Sequence, residues 1–110
     1  MSAAVDDDLA FRALAHTDRR GLLRLIGPDE RAVGDLAEAS GLAQPTVSQH
    51  LKVLRTAGLV AVRTDGNRRL YSLDFERVGA LRSVLDEFWT DRLAALKAVA
   101  EAMPPTGGDT

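Results

Sequence analysis

The side chains with the most chemistry to offer are clustered in one stretch, QPTVSQHLKVLRTAGLV, residues 44–60. Gln44, Thr46, Ser48 and Gln49 carry amides and hydroxyls that both donate and accept hydrogen bonds, which suits the edges of base pairs in a DNA major groove. His50, Lys52 and Arg55 follow them, and cations in that position reach phosphates. The same arrangement also fits a solvated amphipathic helix, so the neighbouring elements have to decide. A second set of candidates is sparser. Asp6, Asp7 and Asp8 are adjacent, but consecutive helical residues point in different directions and cannot converge on a cation, so they read as solvated charge. His16 falls at a helix end, where a cation would meet the C-terminal dipole, and His50 is either a phosphate contact or a solvated side chain.

Composition removes several classes of chemistry. The chain has 110 residues and no cysteine, which excludes disulfides and thiolate metal or redox chemistry. No Ser/His/Asp arrangement, Gly-rich phosphate loop or carboxylate pair in an apolar setting occurs, so an enzyme is not expected. No apolar run approaches the length of a membrane span, and MSAAVDDDLA is acidic rather than a secretory leader, which makes the cytoplasm the simplest location. The formal net charge is −2. Within residues 44–73, however, Lys52, Arg55, Arg63, Arg68 and Arg69 face Asp65 alone, a local +4 against −6 for the rest. A basic face on an acidic body is compatible with DNA binding.

The elements that must position these residues are legible from periodicity. Pro45 fits only the first turn of a helix, and from there Val47, Leu51 and Leu54 form one apolar stripe that Gly58 terminates. Upstream, residues 6–16 predict a first helix with Leu9, Ala10, Ala13 and Leu14 inward. Thr17 or Asp18 caps a second helix carrying Leu22, Leu23, Leu25 and Ile26, which Gly27-Pro28 stops. After a polar link at Asp29-Glu30-Arg31, AVGDLAEASG gives a short third helix with Val33, Leu36 and Ala37 inward. It is joined to the helix that starts at Pro45 by a turn containing Gly41, a helix-turn-helix signature. LVAVR and RLYSL, separated by Thr64-Asp65-Gly66-Asn67-Arg68, read as a β-hairpin, and in that position a hairpin is a wing. Arginines at its tip would lie over phosphates or enter the minor groove, or would simply keep an exposed hairpin soluble.

From Asp74 a helix of about 28 residues is predicted, roughly 40 Å long. Val78, Leu81, Leu85, Phe88, Trp89, Leu93, Leu96, Val99 and Met103 recur along it near heptad spacing. A domain this small cannot cover such a stripe, so a second copy of the chain is expected to pack on it, with help from the first helix at Leu9. The expected fold class is therefore mostly α with a small β-hairpin wing, about five helices, dimeric through the first and last. The domain occupies residues 6–103, between an N-terminal tail of residues 1–5 and a disordered C-terminal tail of residues 104–110.

With helix pair, wing and long last helix in place, the chain resembles the ArsR/SmtB family of winged-helix bacterial repressors. The likeness is densest in FRALAHTDRRGLLRLI, VGDLAEASGLAQPTVSQHLKVLRTAGLV and VRTDGNRRLYSL. It implies a homodimer that sits on an inverted-repeat operator in double-stranded DNA and represses transcription until released. It also implies base contacts from Gln44, Thr46, Ser48 and Gln49, and backbone contacts from His50, Lys52, Arg63, Arg68 and Arg69. Two departures stand out. Ala43 replaces a serine that often caps the recognition helix in relatives. Where metal-sensing relatives carry paired cysteines in a run like Cys-Val-Cys-Asp-Leu, this chain has Ala32-Val33-Gly34-Asp35-Leu36, and its last helix has no histidine. With one histidine in each of two places, no metal or other cofactor is expected and the effector is left open. The alternative reading is a winged-helix module that binds protein, which would have no need of Arg68 and Arg69 beside an exposed Ser48-Gln49 face.

Overall fold

The computed structural model describes residues 3–103, and the expected C-terminal tail lies outside them. The order of elements is α1 (Ala3–Leu14), α2 (Thr17–Ile26), β1 (Arg31–Ala32), α3 (Val33–Ser40), α4 (Gln44–Thr56), β2 (Val60–Asp65), β3 (Arg68–Leu73) and α5 (Phe75–Ala102). The first helix thus begins three residues earlier than the aspartate run suggested, taking in residues 3–5. Asp7 is not merely solvated. Its carboxylate pairs with Arg77 at 3.0 Å, tying α1 to the first turn of α5.

Two chain-encoded stops shape the centre. Gly41 closes α3 in the left-handed region at φ 76°, where its N–H donates to the Ala37 carbonyl. A side chain there would be strained, so glycine is what lets the chain reverse into α4. α4 starts at Gln44 with Pro45 in its first turn, and its cap residue Ala43 makes no side-chain bond, as its methyl group requires. Val47, Leu51 and Leu54 are fully buried, joined by Leu22 and Ile26 of α2, Leu36 of α3, and Ala10 and Ala13 of α1. Each buried leucine contributes about 1.5–3 kcal/mol of transfer free energy, so α4 is held chiefly by this one stripe.

The hairpin is longer than the sequence suggested. β2 and β3 pair in register from Val60 with Leu73 to Asp65 with Arg68, leaving only Gly66-Asn67 as the turn. Gly66 has φ 63° while Asn67 stays on the negative side, the pattern of a type II′ turn that matches strand twist. The segment read as a polar link contributes a third strand. Arg31 pairs with Tyr71 and Ala32 with Leu70, giving the antiparallel order β1-β3-β2. As the middle strand, β3 buries adjacent Leu70 and Tyr71 on opposite faces.

Residues up to Gly79 form one compact unit, and α5 from Ala80 onward belongs to a second. At the head of α5, the Asp74 carboxylate accepts the Arg77 N–H at 3.0 Å, the expected cap. The helix runs 28 residues.

Candidate nucleic-acid interface

Opposite the buried stripe of α4, Gln44, Ser48, Lys52 and Arg55 recur at four- and three-residue steps, so they form one exposed row along the helix, with Gln49 beside it. Thr46 differs. It is half-buried and shares its flank with His50 and Val53, one side-chain row away from Ser48. The exposed row therefore carries Gln44 and Ser48 of the four expected base contacts, with Gln49 beside it, and it extends into the cations Lys52 and Arg55.

The wing meets this row. Ser48, Lys52 and Arg55 of α4, Arg69 and Tyr71 of β3, and Val33 of α3 line one concavity of about 350 Å³. Alternation along β3 explains why Arg69 is there and Arg68 is not, since neighbouring strand residues point to opposite faces. Arg68 instead approaches Asp35 of α3, with Nη2 at 3.4 Å from the carboxylate and both side chains more than half exposed. Arg63 is held more firmly. Its Nε and Nη2 donate to the two Glu30 carboxylate oxygens at 2.6 and 2.7 Å. That bidentate bond holds Glu30 below the usual carboxylate range and raises Arg63 further. Of the three wing arginines expected to lie over phosphates, only Arg69 stands beside the helix cations without a carboxylate partner. Arg55, which sequence reasoning put on the basic face but assigned no contact, belongs with it.

His50 does not face outward as a phosphate contact should. Its ring is largely buried, with its centroid 4.7 Å from that of His16, and its Nε2 is 4.0 Å from an Asp18 carboxylate oxygen. Burial first, then the neighbouring His16 and Arg19, lower it from the usual histidine range against an opposing pull from Asp18. His16 also corrects the expected cap of α2. Thr17 is already helical, and the Nδ1 of His16 accepts the Asp18 N–H at 3.1 Å. Sequence reasoning missed this because histidine is an uncommon cap; its position one residue before Thr17 was the available signal.

The residues expected at a subunit interface divide. Leu85, Phe88, Trp89, Leu93 and Leu96 are exposed, rising from 43% at Leu85 to 62% at Leu96, and Val99 and Met103 continue the stripe. Phe88 and Trp89 meet edge to face at 5.4 Å, with the Arg92 guanidinium over the Phe88 ring. Leu81, at the start of the stripe, is 3% exposed. Leu9 is partly exposed and lines, with Ala13, Val53 and Ala57, an apolar groove of about 270 Å³ between α1 and α4. Among the described residues no helix is long and apolar enough to cross a membrane.

Comparison with known proteins agrees with this geometry. Residues 16–62 match the sequence profile of the bacterial regulatory proteins of the arsR family. The chain is 44% identical over 110 residues, the full length of both proteins, to the HTH-type transcriptional regulator Rv2034 of Mycobacterium tuberculosis. It is 40% identical over 86 residues to a probable mercury resistance operon repressor of Streptomyces lividans, covering 78% of this chain and 69% of that protein. Its fold is similar to the solution structure of a homodimeric winged helix-turn-helix DNA-binding domain from Mycobacterium bovis, a possible ArsR-family regulator. The TM-score is 0.66 at 33% identity, over 83% of this chain and 85% of that one. A winged helix-turn-helix with this sequence likeness along its whole length belongs to the ArsR family of bacterial transcriptional regulators.

Proposed function

We propose that the chain acts in the cytoplasm as a homodimeric repressor, docking α4 of each copy into successive major grooves of an inverted-repeat operator. The observation that carries this reading is the concavity in which Ser48, Lys52 and Arg55 of α4 stand with Arg69 of the wing. Polar groups for base edges and cations for phosphates share one surface there, and the net charge of the molecule does not oppose docking because the field acts locally. Gln44, Ser48 and Gln49 read bases, with Thr46 at the edge of the contact. Lys52, Arg55 and Arg69 hold the backbone, while Arg68 and Arg63 contribute less because Asp35 and Glu30 already face them. The exposed apolar row of α5 supplies the surface for the second copy, in keeping with the homodimeric state of the Mycobacterium bovis domain. Repression rather than activation is favoured by likeness to the Streptomyces lividans mercury operon repressor.

The test is a paired substitution. Ser48→Ala with Gln49→Ala should weaken operator binding by about 2–6 kcal/mol, at about 1–3 per good base contact, and leave binding to random duplex almost unchanged. Equal losses on both duplexes contradict base readout by these residues.

A further inference from the structure

The fold brings together three ligand-bearing side chains that lie far apart in the sequence. His16 caps α2, Asp18 is in its first turn, and His50 sits in the middle of α4. One donor atom from each lies within 4.8 Å of the other two. We propose that His16, Asp18 and His50 form a binding site for one divalent first-row transition metal ion, with zinc as the reference ion.

Two imidazoles and one carboxylate, with water completing the shell, are a donor set suited to zinc, cobalt or nickel. Ligands at about 2.0–2.2 Å from a tetrahedral zinc stand about 3.3 Å apart. The widest of the observed spacings therefore has to close by at most about 1.5 Å, and the 4.0 Å between His50 and Asp18 by less. The exposed side chain of His16 and the half-exposed one of Asp18 can make that movement, whereas His50 is fixed by packing. Nδ1 of His16 accepts the Asp18 N–H, so a metal taken by either ring nitrogen replaces that cap bond with a metal bond. His50 is biased toward the neutral ring that a metal requires, because burial, His16 and Arg19 disfavour its cation. The Arg19 guanidinium is itself engaged, donating to the Ala13 and Arg12 carbonyls at 2.7 and 3.3 Å. Filled, the site would cross-link the start of α2 to the middle of α4, the helix that carries Ser48 and Gln49.

The site can be tested without DNA, so its outcome is separate from the repressor reading. Untagged protein stripped with a chelator is titrated with zinc against a chromophoric competitor, and its melting temperature is followed with and without zinc. One zinc per chain is expected, together with a rise in melting temperature, since binding to the folded state alone stabilises it. His16→Gln and His50→Gln should each weaken zinc binding about tenfold or more and abolish the rise, while Glu38→Gln on α3 should change neither. Should His50→Gln fail to fold, the exposed His16→Gln carries the test. Zinc affinity unaltered in the folded variants, or no binding by the parent protein at micromolar zinc, overturns the proposal.

Discussion

Ser48 and His50 are two positions apart, and the helix turns them toward different surroundings. Ser48 stands with Lys52, Arg55 and Arg69 in the concavity beside the wing, whereas His50 is packed against His16 at the start of α2. The environment of His50 gives it a measurable signature. Its folded pKa is lowered from the ordinary value, so between the two the unfolded chain binds more protons than the folded one. Stability from this residue is therefore complete above the ordinary histidine range and is lost as pH falls through that range toward the lowered value. Urea unfolding in chelator at pH 7.5 and 5.5 should show a smaller acid loss in His50→Gln than in the parent; an identical loss would show that His50 does not carry it. Neither His50's burial nor its nearness to His16 was legible beforehand, because 34 positions separate the two and only the packing of α4 on α2 joins them. What was legible is the composition of the outer row, since periodicity alone divides Val47, Leu51 and Leu54 from Ser48, Gln49 and Lys52.

At the scale of elements, the helix pair and hairpin follow from Pro45, Gly41 and Asp65-Gly66, each of which has a backbone requirement that few other residues meet. β1 was not legible because two residues carry no periodicity, and Arg31–Ala32 is a strand only through its partners Tyr71 and Leu70. The pairing of Arg63 with Glu30 escaped for the same reason, being a contact across 33 positions. It changes what the wing should do. Arg69→Ala should reduce the slope of log affinity against log salt by about 0.9 for each phosphate it leaves unneutralised, on operator and random DNA alike. Arg63→Ala should change that slope much less, because its guanidinium already has a carboxylate partner in the free protein. Equal slopes for Arg69→Ala and the parent, or an equally large change for Arg63→Ala, would show that the wing docks differently.

At the scale of the molecule, α5 leaves Leu85, Phe88, Trp89, Leu93 and Leu96 exposed along one row, an apolar surface of a kind that marks an interface. The length and seam of this helix were evident from Val78 to Met103, because apolar residues recur near heptad spacing along all of it. Leu85→Asp and Leu93→Asp should sediment as monomers and lose most affinity for a two-half-site operator while keeping weak binding to random DNA. A variant that remains dimeric places the interface elsewhere.

The central claim is that the joint surface of α4 and the wing recognises a particular DNA sequence, and fluorescence anisotropy of the parent protein tests it most directly. The probes are a duplex from the chain's own upstream region and a scrambled duplex of equal length, at low and physiological salt. Preference for the upstream duplex by about a thousandfold or more, persisting at physiological salt, is the predicted result. Equal, weak and salt-sensitive binding to both duplexes, or none to either, would contradict it.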